Sequence, residues 1–230
     1  MDLSVMQRAE YHCLRHQFSS GSPYTLSYKV VLMESEKSAV ASAAERFFRL
    51  YAKQCLSPDE DSLLALLESL HGLNDKLRKG EQTSLFGSAE FTALKALRNL
   101  FHHEKELLHR IRIVPAAQFP ISTDLLILCL VDRVLVDQAF DKMPTEDRLR
   151  ARGTLKWYGR VVNIQPCIFN VAVDVYEVLM PLNLDLRAKD FLEFQECYLF
   201  EQENGYTHRV SGDLICLAGD VDAIFKTTFE

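Results

Sequence analysis

The stretch AEFTALKALRNLFHHEKELLHRIRI, residues 89–113, has a long helical pattern that indicates the fold class. On a helical wheel at about 100° per residue, its apolar residues fall on one side. In residues 93–111 the polar residues, histidines included, fall in an arc roughly 160° wide on the other side, with Glu104 as the exception. One face therefore belongs to a core and the other is polar. We expect one long helix from Ala89 to Ile113, ending before Pro115.

The helical pattern continues on both sides of this stretch. Before it, Ser57-Pro58-Asp59-Glu60 has the form of a capping box, with Ser57 as the N-cap and Pro58 as the first helical residue. The helix that follows ends near Gly80 and carries six leucines on one side: Leu63, Leu66, Leu67, Leu70, Leu73 and Leu77. Helices are also predicted at residues 4–17, 36–56, 122–142, 144–162, 166–180 and 187–203, with 213–225 as either a helix or a short strand pair.

These patterns predict an all-α fold, a helical bundle with at least about 60% helix and little strand. Glycine and proline are sparse, with 9 and 7 residues, so the turn residues that a sandwich or barrel needs are few. No internal repeat or long linker divides the chain. We expect a single domain over residues 1–230, with the core in 36–142 and additional helices in 143–230.

Composition and charge are those of an ordinary globular protein, with 48% hydrophobic and 25% charged residues. The net charge of −6 argues against a protein that coats DNA. The N-terminus lacks the apolar segment of a secretory signal, and the longest apolar stretch, Leu125–Val136, is interrupted by charges at Asp132 and Arg133. The six cysteines have no metal-binding spacing and indicate a reducing compartment. We therefore expect a cytoplasmic protein without a membrane partner.

The polar face of residues 89–113 is the best candidate for a functional site. It combines histidines, which transfer protons near neutral pH, with arginines and lysines, which bind phosphate. Asn99 lies one turn before His103, in a position to orient its ring. An ordinary solvated helix face is the alternative interpretation. The basic residues and histidines of this face are Lys95, Arg98, His102, His103, Lys105, His109 and Arg110.

The segment Arg98-Asn99-x-x-x-His103 resembles the R-x(4–6)-H motif of HEPN domains. These are helical-bundle proteins, and many are metal-independent endoribonucleases of toxin–antitoxin, phage-defence and CRISPR-associated systems. In the family the motif generally faces its copy across a two-fold axis. The resemblance therefore implies a homodimer, RNA as substrate, and an antitoxin or regulatory protein as a further partner.

The chemistry that the resemblance implies is attack of the RNA 2′-hydroxyl on the adjacent phosphate, with no metal or other cofactor. His103 would transfer the proton, Arg98 would hold the phosphate, and Asn99 would fix the imidazole or a phosphate oxygen. His102 and Glu106 are candidate supporting residues. RNA would be bound by Lys95, Lys105 and Arg110.

His102 and His103 differ in how they face Arg98. His102 is four residues from Arg98 and shares its face, whereas His103 sits about 140° away on a regular helix. The family spacing selects His103, and a site completed by two chains does not need both residues on one side. The doubled histidine leaves His102 as the alternative.

Two other interpretations stay open. Glu68-x-x-His71 and Glu106-x-x-His109 match a di-iron ligand pattern, and His102, Glu106 and His109 share a narrow arc of the expected helix. His12 and His16 form a further pair at helical spacing. Alternatively, the chain is a non-catalytic helical module that binds a partner, since a HEPN fold can lose catalysis and keep a regulatory role.

Overall fold

The computed structural model describes residues 23–59, 61–103 and 109–230, with side chains from residue 36 onward except that of His103. Of these residues, 63% are helical, which confirms the expected helix content. The described chain also contains a four-stranded antiparallel sheet in the order β1-β2-β4-β3, so the strict all-α class is wrong. The helix expected at 4–17, with His12 and His16, lies outside the described residues.

The described elements are named here in chain order. The helices are α1 (Pro23–Leu56), α2 (Ser62–Lys76), α3 (Ala89–His103), α4 (Arg133–Asp141), α5 (Thr145–Gly153), α6 (Gln165–Leu179), α7 (Lys189–Asn204) and α8 (Val221–Phe229). A π-helical turn (Leu77–Glu81) follows α2, and 3₁₀ turns are Met180–Leu182 and Ala218–Asp220. The strands are β1 (His109–Ile113), β2 (Ile127–Asp132), β3 (Lys156–Tyr158) and β4 (Val161–Asn163).

Helix α2 begins later than its sequence signal indicates. The backbone N–H of Ser57 donates to the Lys53 carbonyl over 2.9 Å, so Ser57 ends helix α1 instead of capping the next one. The hydroxyl of Ser62 donates to the Asp59 carbonyl over 2.9 Å, and Asp61 is the N-cap residue. The predicted capping box is therefore wrong, and its Glu60 lies outside the described residues. The six predicted leucines are all buried.

Helix α3 ends at His103, and the single helix expected to Ile113 is wrong. Residues 109–113, with the sequence HRIRI, form strand β1 and pair antiparallel with β2 through five residues. Their polar–apolar alternation has the period of two that suits a strand. Residues 104–108 lie outside the described residues.

The apolar segment that predicted a helix at 122–142 contains strand β2 followed by α4. Cys129 and Val131 face the main core, whereas Leu128 and Leu130 face a second, smaller core. A strand that is buried on both faces has no polar alternation, so its sequence resembles a buried helix. The expected helix 144–162 is likewise replaced by α5 and the β3–β4 hairpin.

The main core fills the space between the helices and the inner face of the sheet. Its aromatic centre joins α1 to α7: the Phe48 ring lies 5.2 Å from Phe191 and 5.0 Å from Phe194, measured between centroids. The outer face of the sheet is covered by α8, whose Phe229 stacks on Tyr158 at 4.1 Å. The ambiguous C-terminal region is thus mainly helix, and Ile215 adds a single β-bridge to Ser122.

The described cysteines differ in exposure. Cys129 and Cys167 are buried and Cys197 is exposed, and the five described cysteines are free thiols. Among the described residues, no helix is both long and apolar enough to cross a membrane.

Residues 206–217, between α7 and α8, are held against the helical body by side-chain hydrogen bonds. The Asn170 amide donates to the Val210 carbonyl and accepts from its N–H, over 3.0 and 2.9 Å. The Asp124 carboxylate accepts from the N–H groups of Ser211 and Gly212, over 2.6 and 2.9 Å. These bonds place Gly212 directly against the ring of Pro166.

We expect Gly212→Ala to destabilise the fold more than Gly205→Ala does. Both glycines have positive φ angles, 70° and 69°, where an alanine costs about 1–2 kcal/mol. A Cβ at Gly212 would also lie 2.1 Å from Cγ of Pro166, whereas one at Gly205 has no atom within 4 Å. The clash should add about 1–3 kcal/mol. Urea unfolding of the two variants measures the difference, and equal losses would contradict the contact.

Candidate functional site

A salt bridge between α2 and α3 organises the predicted site. Both oxygens of Glu68 on α2 accept from the Arg98 guanidinium on α3: Nε to Oε1 over 3.1 Å and Nη2 to Oε2 over 2.8 Å. The Arg98 side chain is 15% exposed and that of Glu68 is 36% exposed, so the pair is partly shielded from water. A two-pronged pair of this kind fixes the plane of the guanidinium.

His102 and Asn99 join the same group. Nδ1 of His102 lies 3.1 Å from Oε1 of Glu68, and the Asn99 side-chain oxygen accepts from Nη1 of Arg98 over 3.4 Å. We call Glu68, Arg98, Asn99 and His102 the Glu68 cluster. It exists because residues 98, 99 and 102 of one helix fall on adjoining positions that face α2. The predicted shared face of Arg98 and His102 is thereby observed.

The electrostatics of the cluster favour a charged Glu68. Burial raises the pKa of Glu68, but the hydrogen bond and positive charge of Arg98, with smaller contributions from His102 and His71, outweigh it and leave the pKa below its ordinary value. For His71, burial and the charge of Arg98 lower the pKa, although Asp75, at 3.5 Å, opposes the shift. We therefore take His71 as mainly neutral at neutral pH.

Acidification should weaken the fold through Glu68. Its pKa is lower in the folded than in the unfolded protein, so as pH falls the unfolded chain takes up the proton first and unfolding is favoured. The native protein should exceed Glu68→Gln in unfolding free energy by the largest amount above pH 4.5, the ordinary pKa of glutamate. This difference should shrink as the pH falls below 4.5. Urea unfolding across this pH range measures it.

The matched control for this experiment is Glu193→Gln. Among the described residues, Glu193 pairs with Lys189 alone, over 3.3 Å, on the exposed side of α7. A surface pair of this kind contributes little stability, so the change should have a small effect at any pH. A Glu68→Gln effect that does not depend on pH would contradict the charge argument.

A basic, aromatic surface adjoins the cluster at the N-terminal end of α3. The Lys95 ammonium lies 4.5 Å from the centroid of the Phe86 ring, and the Arg78 guanidinium lies 5.2 Å from it. Phe86 is 41% exposed and is held at its side by the buried ring of Phe91, 5.6 Å away. Lys95 is three residues before Arg98, so this surface continues directly into the Glu68 cluster.

Of the remaining predicted site residues, two have described side chains, and both lie on a different element. His103 is the last residue of α3 and its side chain is outside the described part of the structure, as are Lys105 and Glu106. His109 and Arg110 belong to β1, so the expected arc containing His102 and His109 is wrong. Arg110 lies on the outer face of the sheet and donates to the Glu230 backbone carbonyl over 3.4 Å.

Within the described residues, no three histidine, cysteine, aspartate or glutamate side chains are grouped to hold a metal ion. The sequence did single out Glu68 and His71, but as half of a metal-ligand pattern. It did not indicate that Glu68 binds Arg98. Glu68 lies off the leucine face of α2, and that position alone does not select a partner.

The Glu68 cluster can support two kinds of chemistry. A carboxylate at Nδ1 orients an imidazole for proton transfer, and an arginine beside it can bind an oxyanion if Glu68 releases one prong. Comparison of the chain with protein-family models, with curated proteins and with solved structures gives no match.

Proposed function

We propose that the protein is a metal-independent endoribonuclease of the HEPN type. The observation that supports this best is the Glu68 cluster, in which Glu68 on α2 binds both Arg98 and His102 on α3, and Arg98 also donates to Asn99. In the proposed reaction the RNA 2′-hydroxyl attacks the adjacent phosphate. A histidine takes up the hydroxyl proton, and the 5′-oxygen leaves with a proton in return.

Arg98 is the proposed phosphate-binding residue, with Asn99 beside it. Glu68 keeps the guanidinium in place before the substrate arrives, because it occupies both Nε and Nη2. A bound phosphate would take over one of these contacts, as Arg binds phosphate with the same fork. Glu68 is thus a positioning residue, which holds Arg98 and His102 in register.

The surface around Phe86 would bind the RNA strand beside the cluster. An exposed aromatic ring can stack on any base, and Lys95 and Arg78 can pair with the flanking phosphates. This assigns Lys95 the RNA-binding role expected from the sequence. The chemistry suits single-stranded RNA, whose bases are free to stack.

A homodimer stays part of the proposal. On a regular helix, position 103 falls about 140° from position 98, and this spacing motivates a site that two chains complete. Two α3 helices related by a two-fold axis would let the histidine of one chain act beside the arginine of the other. Membership in a toxin–antitoxin or phage-defence system, with an antitoxin as partner, is proposed on the motif alone.

The experiment that tests the function uses the purified full chain with single-stranded RNA in EDTA. We expect cleavage that leaves 2′,3′-cyclic phosphate or 3′-phosphate ends. The DNA strand of the same sequence is the control, and it should stay intact because it lacks the nucleophilic hydroxyl. Cleavage that EDTA abolishes would favour a metal enzyme and contradict the proposal.

A non-catalytic RNA- or partner-binding module is the second candidate. The observation that favours it is that two donor nitrogens of Arg98 already bind Glu68, which is also what a purely structural ion pair would show. The two candidates differ in turnover: a binding module would retain RNA affinity, show no cleavage and be unaffected by His103→Ala.

A further inference from the structure

A cleft of about 640 Å³ lies between the outer face of the sheet and helix α8. This volume is within the range of about 300–1,000 Å³ that small-molecule pockets occupy. The cleft is separate from the Glu68 cluster, because the inner face of the sheet is the one that packs on the helical core. The side chains that matter here are Arg110, Asp132, Tyr158, Arg160, Phe225 and Phe229.

The strand register explains how these residues meet. Asp132, Val161 and Tyr158 stand side by side on β2, β4 and β3. Arg110 lies opposite Leu130 on β1, which makes it a diagonal neighbour of Asp132 on the same face. Arg160 belongs to the two-residue turn between β3 and β4 and also lines the cleft.

Two arginines line this cleft, and their guanidinium groups make few hydrogen bonds with the described residues. Within the described part of the chain, the Arg110 side chain makes one long hydrogen bond, 3.4 Å, to the Glu230 carbonyl. The Arg160 guanidinium has no hydrogen bond or ion pair with the residues that the structure describes. Both side chains are exposed. A phosphate, which accepts from two such forks at once, is the group that best matches them.

The rest of the cleft does not suit a bare phosphate. Its wall is aromatic, with Phe229 stacked on Tyr158 and Phe225 at 5.4 Å from Phe229. Oδ1 of Asp132 accepts from the Val134 N–H over 2.8 Å and caps α4, which leaves Oδ2 to accept from a ligand. Such a carboxylate repels a simple anion but binds a hydroxyl or an N–H. The complementary ligand carries a phosphate, an aromatic ring and hydrogen-bond donors.

We propose that this cleft binds a small phosphorylated aromatic ligand with the chemistry of a nucleoside monophosphate. Arg110 and Arg160 hold the phosphate, the Phe225–Phe229 wall contacts the base, and Asp132 accepts from a sugar hydroxyl or base N–H. This ligand site goes beyond the proposed RNA cleavage, and its test does not depend on that function.

The test is calorimetric titration of the full chain with adenosine 5′-monophosphate, with adenosine and inorganic phosphate as separate probes. We expect one nucleotide per chain and at least about tenfold weaker binding of either part alone. Arg160→Ala and Arg110→Ala should each weaken nucleotide binding by about tenfold or more, the loss expected for a charged donor. The matched control is Arg112→Ala, which changes the same face of β1 two residues away, outside the cleft lining. Its affinity should be unchanged.

Any one of four outcomes would overturn the proposal. One is no nucleotide binding at millimolar concentration. Another is equal affinity in Arg160→Ala, Arg110→Ala and the Arg112→Ala control. The third is loss of nucleotide binding in Arg98→Ala, which would place the ligand at the Glu68 cluster instead. Inorganic phosphate that binds as tightly as the nucleotide would exclude the aromatic wall as a determinant. RNA cleavage by the Arg160→Ala variant is measured in parallel. Unchanged cleavage beside weakened nucleotide binding would show that the two proposed sites are independent.

Discussion

Changing His103 to alanine is expected to lower the rate of RNA cleavage by about 10² to 10⁴-fold, the usual contribution of a positioned proton-transfer group. His103 completes the motif that begins at Arg98, at the C-terminal end of α3. Arg98→Ala should be severely impaired as well, because the developing charge on the phosphate would lose its guanidinium partner. Single-turnover cleavage in EDTA, with enzyme in excess, measures both effects.

The matched control is His109→Ala, since His109 lies on β1 rather than on α3. Its cleavage rate should stay near that of the native protein. His102→Ala is the informative second variant, because His102 contacts Glu68 over 3.1 Å. If His102→Ala is inactive while His103→Ala cleaves normally, the motif assignment is wrong by one residue. Circular dichroism of each variant separates lost chemistry from lost folding.

The second large effect concerns stability, and we expect Phe48→Ala to cost about 3–5 kcal/mol of unfolding free energy. The Phe48 side chain is 0% exposed and its ring contacts three other rings, those of Phe47, Phe191 and Phe194. Removing it would leave a cavity where α1 meets α7, and close packing prevents the neighbouring side chains from filling it.

The control for this experiment is Phe200→Ala on α7. Phe200 is 59% exposed and its ring lies 6.2 Å from that of Tyr206, so it buries little surface. Its loss should cost less than about 1 kcal/mol. Urea unfolding of the two variants, with comparison of the denaturant slopes, gives the two energies. Losses of similar size would show that the Phe48 ring is not the aromatic link between α1 and α7.

Local sequence signals determined most of the helices. Leucines at helical spacing define α2, and all six are buried. Pro166 near the start of α6 and the aromatic pattern of residues 187–203 located α6 and α7 within a few residues. These helices could be predicted because each has its whole apolar pattern within one continuous segment. No pairing with a distant segment is needed to form them.

Which segments form strands was decided by the tertiary structure. The segment that forms β2 is apolar from Ile127 to Val131, and only its position between β1 and β4, with a core on each side, makes it a strand. Residues 109–113 come directly after a segment with a strong helical pattern. They form strand β1 because they pair with residues of β2. Pairing between distant segments is not encoded in the periodicity of either one.

The site divides in the same way. The sequence by itself placed Lys95, Arg98, Asn99 and His102 on one face of a helix, because helical geometry alone brings residues three and four positions apart together. Only the tertiary structure added Glu68, since the packing of α2 against α3 decides which carboxylate reaches Arg98. The tertiary structure also places Arg110 on the outer face of the sheet. In a strand, side chains alternate between faces with a period of two residues, whereas the sequence pattern predicted the helical period of 3.6.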